Sequence, residues 1–263
     1  MPKRLVARPF AAVLLAAALA VPAAQARAQT AADPVAALLA GERTECAGCD
    51  LRGANFKQAD LGAVDFSGAD LTGASFHRAE LDGANFAGAT LIDANFNLAS
   101  LRQASFAGAD IAAGLFYEAQ LSGADFSGAN LAHTRFQHAR MTRARLAGAA
   151  IARADMASVR LNSADLTDAR LTRVNLTEAS LGRTDFSGAA LSYVSIVNAD
   201  AARAVFAGAR IDQTDFWGSD LRGSDFTGAE IRTSRFSRAN LREAAFDEDA
   251  VRRTILPDGT FVE

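Results

Sequence analysis

Residues 66–90 read FSGADLTGASFHRAELDGANFAGAT, five blocks that each begin with Phe or Leu and carry Ala in fourth place. Counting in fives from Leu51 to Phe246 gives forty such first positions, here called centres, and thirty-nine hold Leu, Ile, Phe or Met. The exception is Ala201. Two residues before the centres, from Ala54 to Ala244, Ala occupies 28 of 39 positions, and Gly, Ser, Thr or Val the rest. No insertion breaks the register, so one structural unit is repeated throughout.

A period of five fits neither regular secondary structure. In an α-helix successive centres would lie about 140° apart, and in a strand an odd step would alternate their faces. A coil whose turn is a multiple of five keeps every centre inside. Fifteen of the seventeen Phe residues are centres, all at numbers ending in 6, while Leu or Ile fills nearly all centres ending in 1. Like residues stack on like only if the coil is a multiple of ten.

The blocks share a pattern of Ala, then Asp or Asn, then an apolar centre, and this pattern resembles that of the pentapeptide repeat family over residues 46–250. Typical blocks are Ala54-Asn55-Phe56, Ala69-Asp70-Leu71, Ala124-Asp125-Phe126 and Ala239-Asn240-Leu241. The resemblance implies an all-β fold, a right-handed quadrilateral β-helix with about twenty residues per coil and about ten coils. The Asp, Asn or Ser before each centre suits a corner, where its side chain can bond nearby backbone. We therefore interpret most of these acids as structural.

The N-terminus has the pattern of an export signal over residues 1–28. Three basic residues precede an apolar run at 10–20, and Ala26-Arg27-Ala28 offers a cleavage site. Eleven apolar residues are too few to span a bilayer as a helix. We expect a soluble mature chain in the periplasm or outside the cell, with an uncleaved anchor as the alternative.

Caps are expected at both ends, because bare coil ends expose unpaired backbone. The N-terminal cap, residues 29–45, contains a predicted short helix at 33–42 whose Leu38 and Leu39 would cover the first coil. The repeat is expected to end at 250, and residues 251–263 form the C-terminal cap. The apolar residues expected to fold back over the last coil are Ile255, Leu256 and Phe261.

The two cysteines, Cys46 and Cys49, lie at the start of the first coil. Two thiols without a nearby His make a poor zinc site, and no thioredoxin-like pattern surrounds them. Both fall on inward positions, so one interpretation is two small packed core residues. An oxidising compartment makes a local disulfide the alternative, which spacing alone does not decide.

Charge is uneven along the chain. Without residues 1–28 there are 23 basic and 30 acidic residues, yet residues 131–185 carry nine Arg against five acids. This Arg belt contains two pairs twenty residues apart, Arg140 with Arg160 and Arg153 with Arg173. Like charges on adjacent coils repel and prefer an acidic partner or a neighbouring Asp. The belt is therefore a candidate contact site for an acidic partner. The alternative is that its arginines are only solvated.

Trp217, the only Trp, follows a centre and is expected to point outward, with Val197 one coil below it. Together they are a candidate contact site. The alternative is an isolated exposed aromatic of no consequence. His77, His133 and His138 are expected on different sides of the coil. We therefore predict no catalytic constellation, no cofactor and no metal.

Three functions are compatible with these features. We favour an exported, non-enzymatic scaffold or protein-binding module of the cell envelope, whose rigid rod presents side chains to an unidentified protein or polymer. The alternative is a DNA mimic that interacts with a topoisomerase such as DNA gyrase, as the resemblance to family members linked to quinolone resistance implies. The predicted export and the Arg belt count against it, and no nucleic acid partner is expected. An enzyme is the least supported of the three. The oligomeric state stays open.

Overall fold

In the computed structural model, which describes residues 33–247 and 250–263, the chain climbs as a four-sided coil of twenty residues. Parallel bridges join residues twenty apart, from Glu45 with Asp65 to Arg235 with Ile255. A corner follows every five residues. The predicted right-handed quadrilateral β-helix is confirmed, and the ten-residue regularity of the Phe residues reflects the twenty-residue coil.

One parallel sheet follows a single face of the coil over about five turns. Its strands are β1 (Ala150–Ala152), β2 (Arg170–Thr172), β3 (Ala190–Ser192), β4 (Arg210–Asp212), β5 (Glu230–Arg232) and β6 (Val251–Arg252). Elsewhere, successive coils are joined by single-residue parallel bridges. These bridges are short because little extended chain lies between one corner and the next. The continuous sheet is therefore shorter than the ten coils expected from the repeat count.

The repeat around Leu71 shows where the backbone hydrogen bonds go. Asp70 N donates to Cys49 O of the previous coil (2.9 Å), and Leu71 N donates to Thr90 O of the next (2.7 Å). Gly73 N also reaches the next coil, and Ala74 N closes the corner onto Leu71 O (2.9 Å). The fifth donor, the N–H of residue 72, is bonded by the Asp70 carboxylate at 3.1 Å. All five N–H groups are satisfied, and the acid before the centre has the predicted structural role.

Centres and small residues together form one continuous core. Phe residues one coil apart stack, as for Phe76 and Phe96 (4.8 Å between ring centroids, 3° between planes). Those half a coil apart meet edge to face, as for Phe76 and Phe86 (5.7 Å, 80°). Ala79 and most of the other inward alanines are buried beside the rings, and their small size leaves room for the rings.

The N-terminal cap is helix α1 (Pro34–Leu39), shorter than the predicted 33–42. Gly41, at φ 68°, ends it: Glu42 N donates to Ala37 O and Gly41 N to Leu38 O. Leu38 is buried at 2% exposure, but Leu39 is 51% exposed. The expectation that both cover the first coil was wrong for Leu39, because neighbouring helical side chains point about 100° apart.

The C-terminal cap begins one repeat later than predicted. Val251 pairs with Ile231 in the sheet, so the coil passes the expected boundary at 250. The chain then folds back as an antiparallel hairpin of β7 (Thr254–Ile255) and β8 (Phe261–Val262). Phe261 is 58% exposed, whereas Val262 packs against the core. The prediction for Phe261 was wrong, because adjacent strand residues face opposite sides.

Cys46 and Cys49 are joined by a disulfide, with their Cα atoms 5.3 Å apart. Cys46 is fully buried and Cys49 packs against the core from its edge. Both interpretations from sequence therefore describe part of this arrangement. The predicted signal at 1–28 lies outside the described residues. Within the described part of the chain, no helix combines the length and apolar character needed to cross a bilayer.

The left-handed corners predict opposite effects for two glycines. Gly68 has φ 63°, and a Cβ added there meets nothing within 4 Å. Gly68→Ala should lower the free energy of unfolding by about 1 kcal/mol, from backbone strain alone. Gly62 is not left-handed, and its added Cβ would make an ordinary 3.6 Å contact. Gly62→Ala should raise stability by about 0.4–1 kcal/mol in the same urea titration. Equal losses in both variants would contradict this explanation.

Ala201 predicts a stabilising substitution. It is fully buried between Leu181 and Leu221 of the adjacent coils, and its N–H still donates to Asp220 O at 2.8 Å, so the coil keeps its register there. Ala201→Leu should raise stability by a fraction of the ~2–5 kcal/mol that a Leu-to-Ala change costs. The control, Ala204→Leu, enlarges the small inward position and should cost about 1–3 kcal/mol. A lower melting temperature for Ala201→Leu would mean that the coil is pinched at this centre.

Candidate interaction surface

The candidate contact residues lie on three different faces of the coil. Arg153 and Arg173 lie on the face that carries β1–β6, here called the strand face. Arg140 and Arg160, paired directly by a parallel bridge, lie on the opposite face, whose repeats are centred on residues 61 to 241 in steps of twenty. We call this the groove face. Trp217 and Val197 lie on a face between the two. The Arg belt is therefore split, because the repeats centred on 141 and 151 are ten residues apart, which is half of the twenty-residue coil.

Few of the belt arginines have an acidic partner within the chain. All nine are exposed, and among the described residues only Arg145 has a carboxylate, that of Asp125, within 4.0 Å. Its hydrogen bond to Asp125 raises the pKa of Arg145 above the ordinary value. The other eight guanidinium groups face solvent without an ion pair in the described structure. Their charge is therefore accessible to a partner.

Arg140 and Arg160 line a groove of about 430 Å³. Its other side is formed by the next column, where Ser158 Oγ donates to Glu178 Oε2 at 3.4 Å. His138 lies in the same column between Glu118 and Ser158, and its ring meets that of Tyr117 edge to face, with 5.7 Å between the ring centroids. Cationic and anionic side chains thus face each other across this groove, which suits a contact with a surface of mixed charge.

On the strand face, Arg173 lies over the ring of Tyr193, 5.6 Å from its centroid. Tyr193 is 49% exposed and follows Arg173 by one coil. Reasoning from the sequence missed Tyr193, although the twenty-residue step from Arg173 would have indicated it. Arg153 and Arg173 both occupy left-handed corners (φ 54° and 55°), so their side chains project from the edge of the coil.

Trp217 is half-buried rather than fully outward, as is Val197. The Arg238 guanidinium lies 5.5 Å from the centroid of the indole, and Trp217 N donates to Asp215 Oδ1 at 3.0 Å. The indole is held by its own chain and is not an isolated aromatic. Any partner at this position would contact a composite of Trp217 and Arg238.

A second groove, of about 560 Å³, lies on the groove face and was missed by the sequence reasoning. Its lining consists of four arginines, the acids Asp200 and Glu243, and mostly small residues. Asp220 pairs with Arg222, whose hydrogen bond holds the pKa of the Asp220 carboxyl below its ordinary value. The cluster is not apparent from the net charge of consecutive stretches of sequence. It is apparent among residues twenty apart, which become neighbours on adjacent coils. The groove arginines are Arg183, Arg203, Arg222 and Arg242.

These surfaces are dominated by charged side chains. His133 lies on the strand face, whereas His77 and His138 lie on the face that carries Trp217, three coils apart and in different columns. The expectation of different sides was wrong for His77 and His138, because their centres are sixty residues, or three whole coils, apart. Over residues 33–247 and 250–263, no group of three or more His, Cys, Asp or Glu side chains is arranged to hold a metal ion. What the faces do present is guanidinium groups held on ordered backbone.

Comparison with known proteins agrees with this architecture. The family model for pentapeptide repeats matches in eight copies over residues 49–86, 79–112, 119–156, 154–192, 169–208 and 202–238. Comparison with curated protein sequences gives no match.

Among solved structures, the chain is similar to HetL, a pentapeptide repeat protein involved in heterocyst differentiation regulation in the cyanobacterium Nostoc sp. strain PCC 7120. The identity is 26% over 84% of this chain and 95% of HetL, with a TM-score of 0.60. Trypsin-treated QnrB1, a plasmid-mediated fluoroquinolone resistance protein, matches at 24% identity over 70% and 86%, with a TM-score of 0.37. A pentapeptide repeat protein of the Arabidopsis thaliana thylakoid lumen matches at 21% over 62% and 69%, with a TM-score of 0.20. By its repeats and its coil, the chain belongs to the pentapeptide repeat family.

Proposed function

We propose that this pentapeptide repeat protein is an exported, non-enzymatic scaffold or protein-binding module of the cell envelope. The observation that carries the proposal is the set of eight exposed belt arginines without a carboxylate partner among the described residues. A solvated guanidinium presented on ordered backbone is suited to an acidic partner.

In the proposed mechanism, the rigid coil presents its arginine side chains to the partner. Arg153 N donates to Thr172 O at 2.8 Å and Arg173 N to Ser192 O at 2.9 Å, so hydrogen bonds between coils hold the backbone of both contact residues. Binding then costs little backbone entropy, and the remaining cost is the ordering of the side chains.

Export is supported by two features. Residues 1–28 have the basic start, apolar run and cleavage pattern of a secretory signal. The disulfide between Cys46 and Cys49 fits an oxidising compartment such as the periplasm or the extracellular space. The expected product begins at Gln29, which the mass of the protein purified from its native compartment would reveal.

A DNA mimic is less well supported by the surface. Such a mimic needs long tracks of carboxylates at regular spacing. In the bridged columns of the described structure, carboxylates follow one another on at most two successive coils, as in Asp50 with Asp70 and Asp200 with Asp220. Arginine or an uncharged residue interrupts each of these tracks.

Affinity capture from envelope and culture-fluid extracts tests the proposal. The bait is the protein as the cell produces it, beside three variants that each change one face: Arg153→Ser/Arg173→Ser, Arg140→Ser/Arg160→Ser and Trp217→Ser. We expect an acidic protein or polymer whose capture falls at least about tenfold, or about 1.4 kcal/mol, in one variant only.

The three variants control for one another, because each leaves the other two faces intact. The melting temperatures of the two arginine variants should match that of the wild type, since those changes are at the surface. Trp217→Ser removes a half-buried indole, so its capture is compared at a temperature where that variant remains folded. If no component is captured by the wild type, or if all variants capture it equally, these contact sites have no binding role.

A further inference from the structure

We propose that the groove face binds a second copy of this chain, with the two rods side by side and antiparallel. The proposal does not depend on export or on an envelope partner. It rests on the order of charges along one column, whose charged members are exposed over the proposed contact.

The column consists of residues at twenty-residue spacing, joined pairwise by parallel bridges. Over the first six levels of this column, the charges are two negative, two neutral and two positive. In order, these six residues are Asp60, Glu80, Ser100, Gln120, Arg140 and Arg160. The column continues through Ser180, Asp200 and Asp220 to Asn240, and these four levels lie beyond the proposed contact.

This order is complementary to its own reverse. A two-fold axis that lies in the contact plane, perpendicular to the long axis of the rods, therefore brings opposite charges together. Such an axis brings each column against the same column of the second copy in reverse order. Asp60 then meets Arg160 of the second copy, and Glu80 meets Arg140. At the centre, Gln120 meets the level of Ser100, whose own side chain is buried and donates to Asp82 Oδ1 at 2.6 Å. Each pair of like charges in one copy then faces a pair of opposite charges in the other copy.

Within one copy these four charges are uncompensated. Asp60, Glu80, Arg140 and Arg160 are all exposed, and none has an oppositely charged side chain within 4.0 Å in the described structure. Two carboxylates and two guanidinium groups therefore stack on adjacent coils, about 4.8 Å apart, where like charges repel. Antiparallel pairing would replace this repulsion with attraction.

The neighbouring column on the groove face is complementary in size. Under the same axis, Arg143 meets Gly83 and Gln103 meets Gly123, so each long side chain faces a glycine. Asp82, Gly83, Gly123 and Arg143 already line one open groove of about 680 Å³. In the pair, Arg143 of one copy enters the groove beside Asp82 of the other.

The contact is small. Five coil steps of about 4.8 Å give a length of roughly 24 Å, and a five-residue face is roughly 16 Å wide, so each copy covers about 400 Å². This is about half of the ~800 Å² per partner in a standard interface. We therefore expect a dimer in the micromolar-to-millimolar range that dissociates as salt screens the charges.

Charge reversal with rescue tests the pairing by sedimentation velocity at low ionic strength. Glu80→Arg and Arg140→Glu should each weaken the dimer at least about tenfold, because each places like charges opposite one another. The double variant Glu80→Arg/Arg140→Glu should restore it, because the two substitutions exchange the partners. Arg153→Glu, on the strand face, should leave dimerisation unchanged.

The coil accepts these residues, since the same column already holds Glu at one level and Arg at two others. Unchanged melting temperatures would confirm that folding is intact. A chain that stays monomeric at millimolar concentration and low salt would overturn the proposal. So would a dimer that neither single variant weakens, or a double variant that fails to restore it.

Discussion

Hydrogen bonding between successive coils is the constraint on which the rest of this structure depends. Each repeat sends most of its N–H groups to the coils above and below, and only the corner bond and the side-chain bond are local. A coil on its own would leave these donors unpaired. The fold therefore exists only as a stack, and its stability is the sum of many nearest-neighbour contacts.

The ends of the stack follow from the same constraint. Helix α1 places Leu38 over the first coil, and the hairpin of β7 and β8 closes the last. Both caps are irregular because each must cover apolar surface on one side and meet water on the other. The exposure of Leu39 and Phe261 is the consequence.

The stack also determines how the surface is organised. Outward side chains form columns at the spacing of neighbouring strands, so a substitution changes one level of one column and leaves the backbone in place. Left-handed corners place arginines such as Arg153 and Arg173 at the edges between faces. Charge on this rod is therefore a property of columns, and segment-by-segment counts of charge conceal it. The mixed groove around Arg140 and the arginine-lined groove around Arg203 show this directly.

The sequence by itself determined the coil, its core and the structural role of the acids before the centres, because a repeat without insertions leaves one way to bury every centre. It also indicated that both ends need caps. The tertiary structure alone decided which cap residues are buried, since that depends on the direction of single side chains. It joined Cys46 to Cys49, which spacing could not do, and it covered Trp217 with Arg238 from the next coil. It also divided the Arg belt between opposite faces, because residues close in sequence are separated by the turn of the coil while residues twenty apart become neighbours.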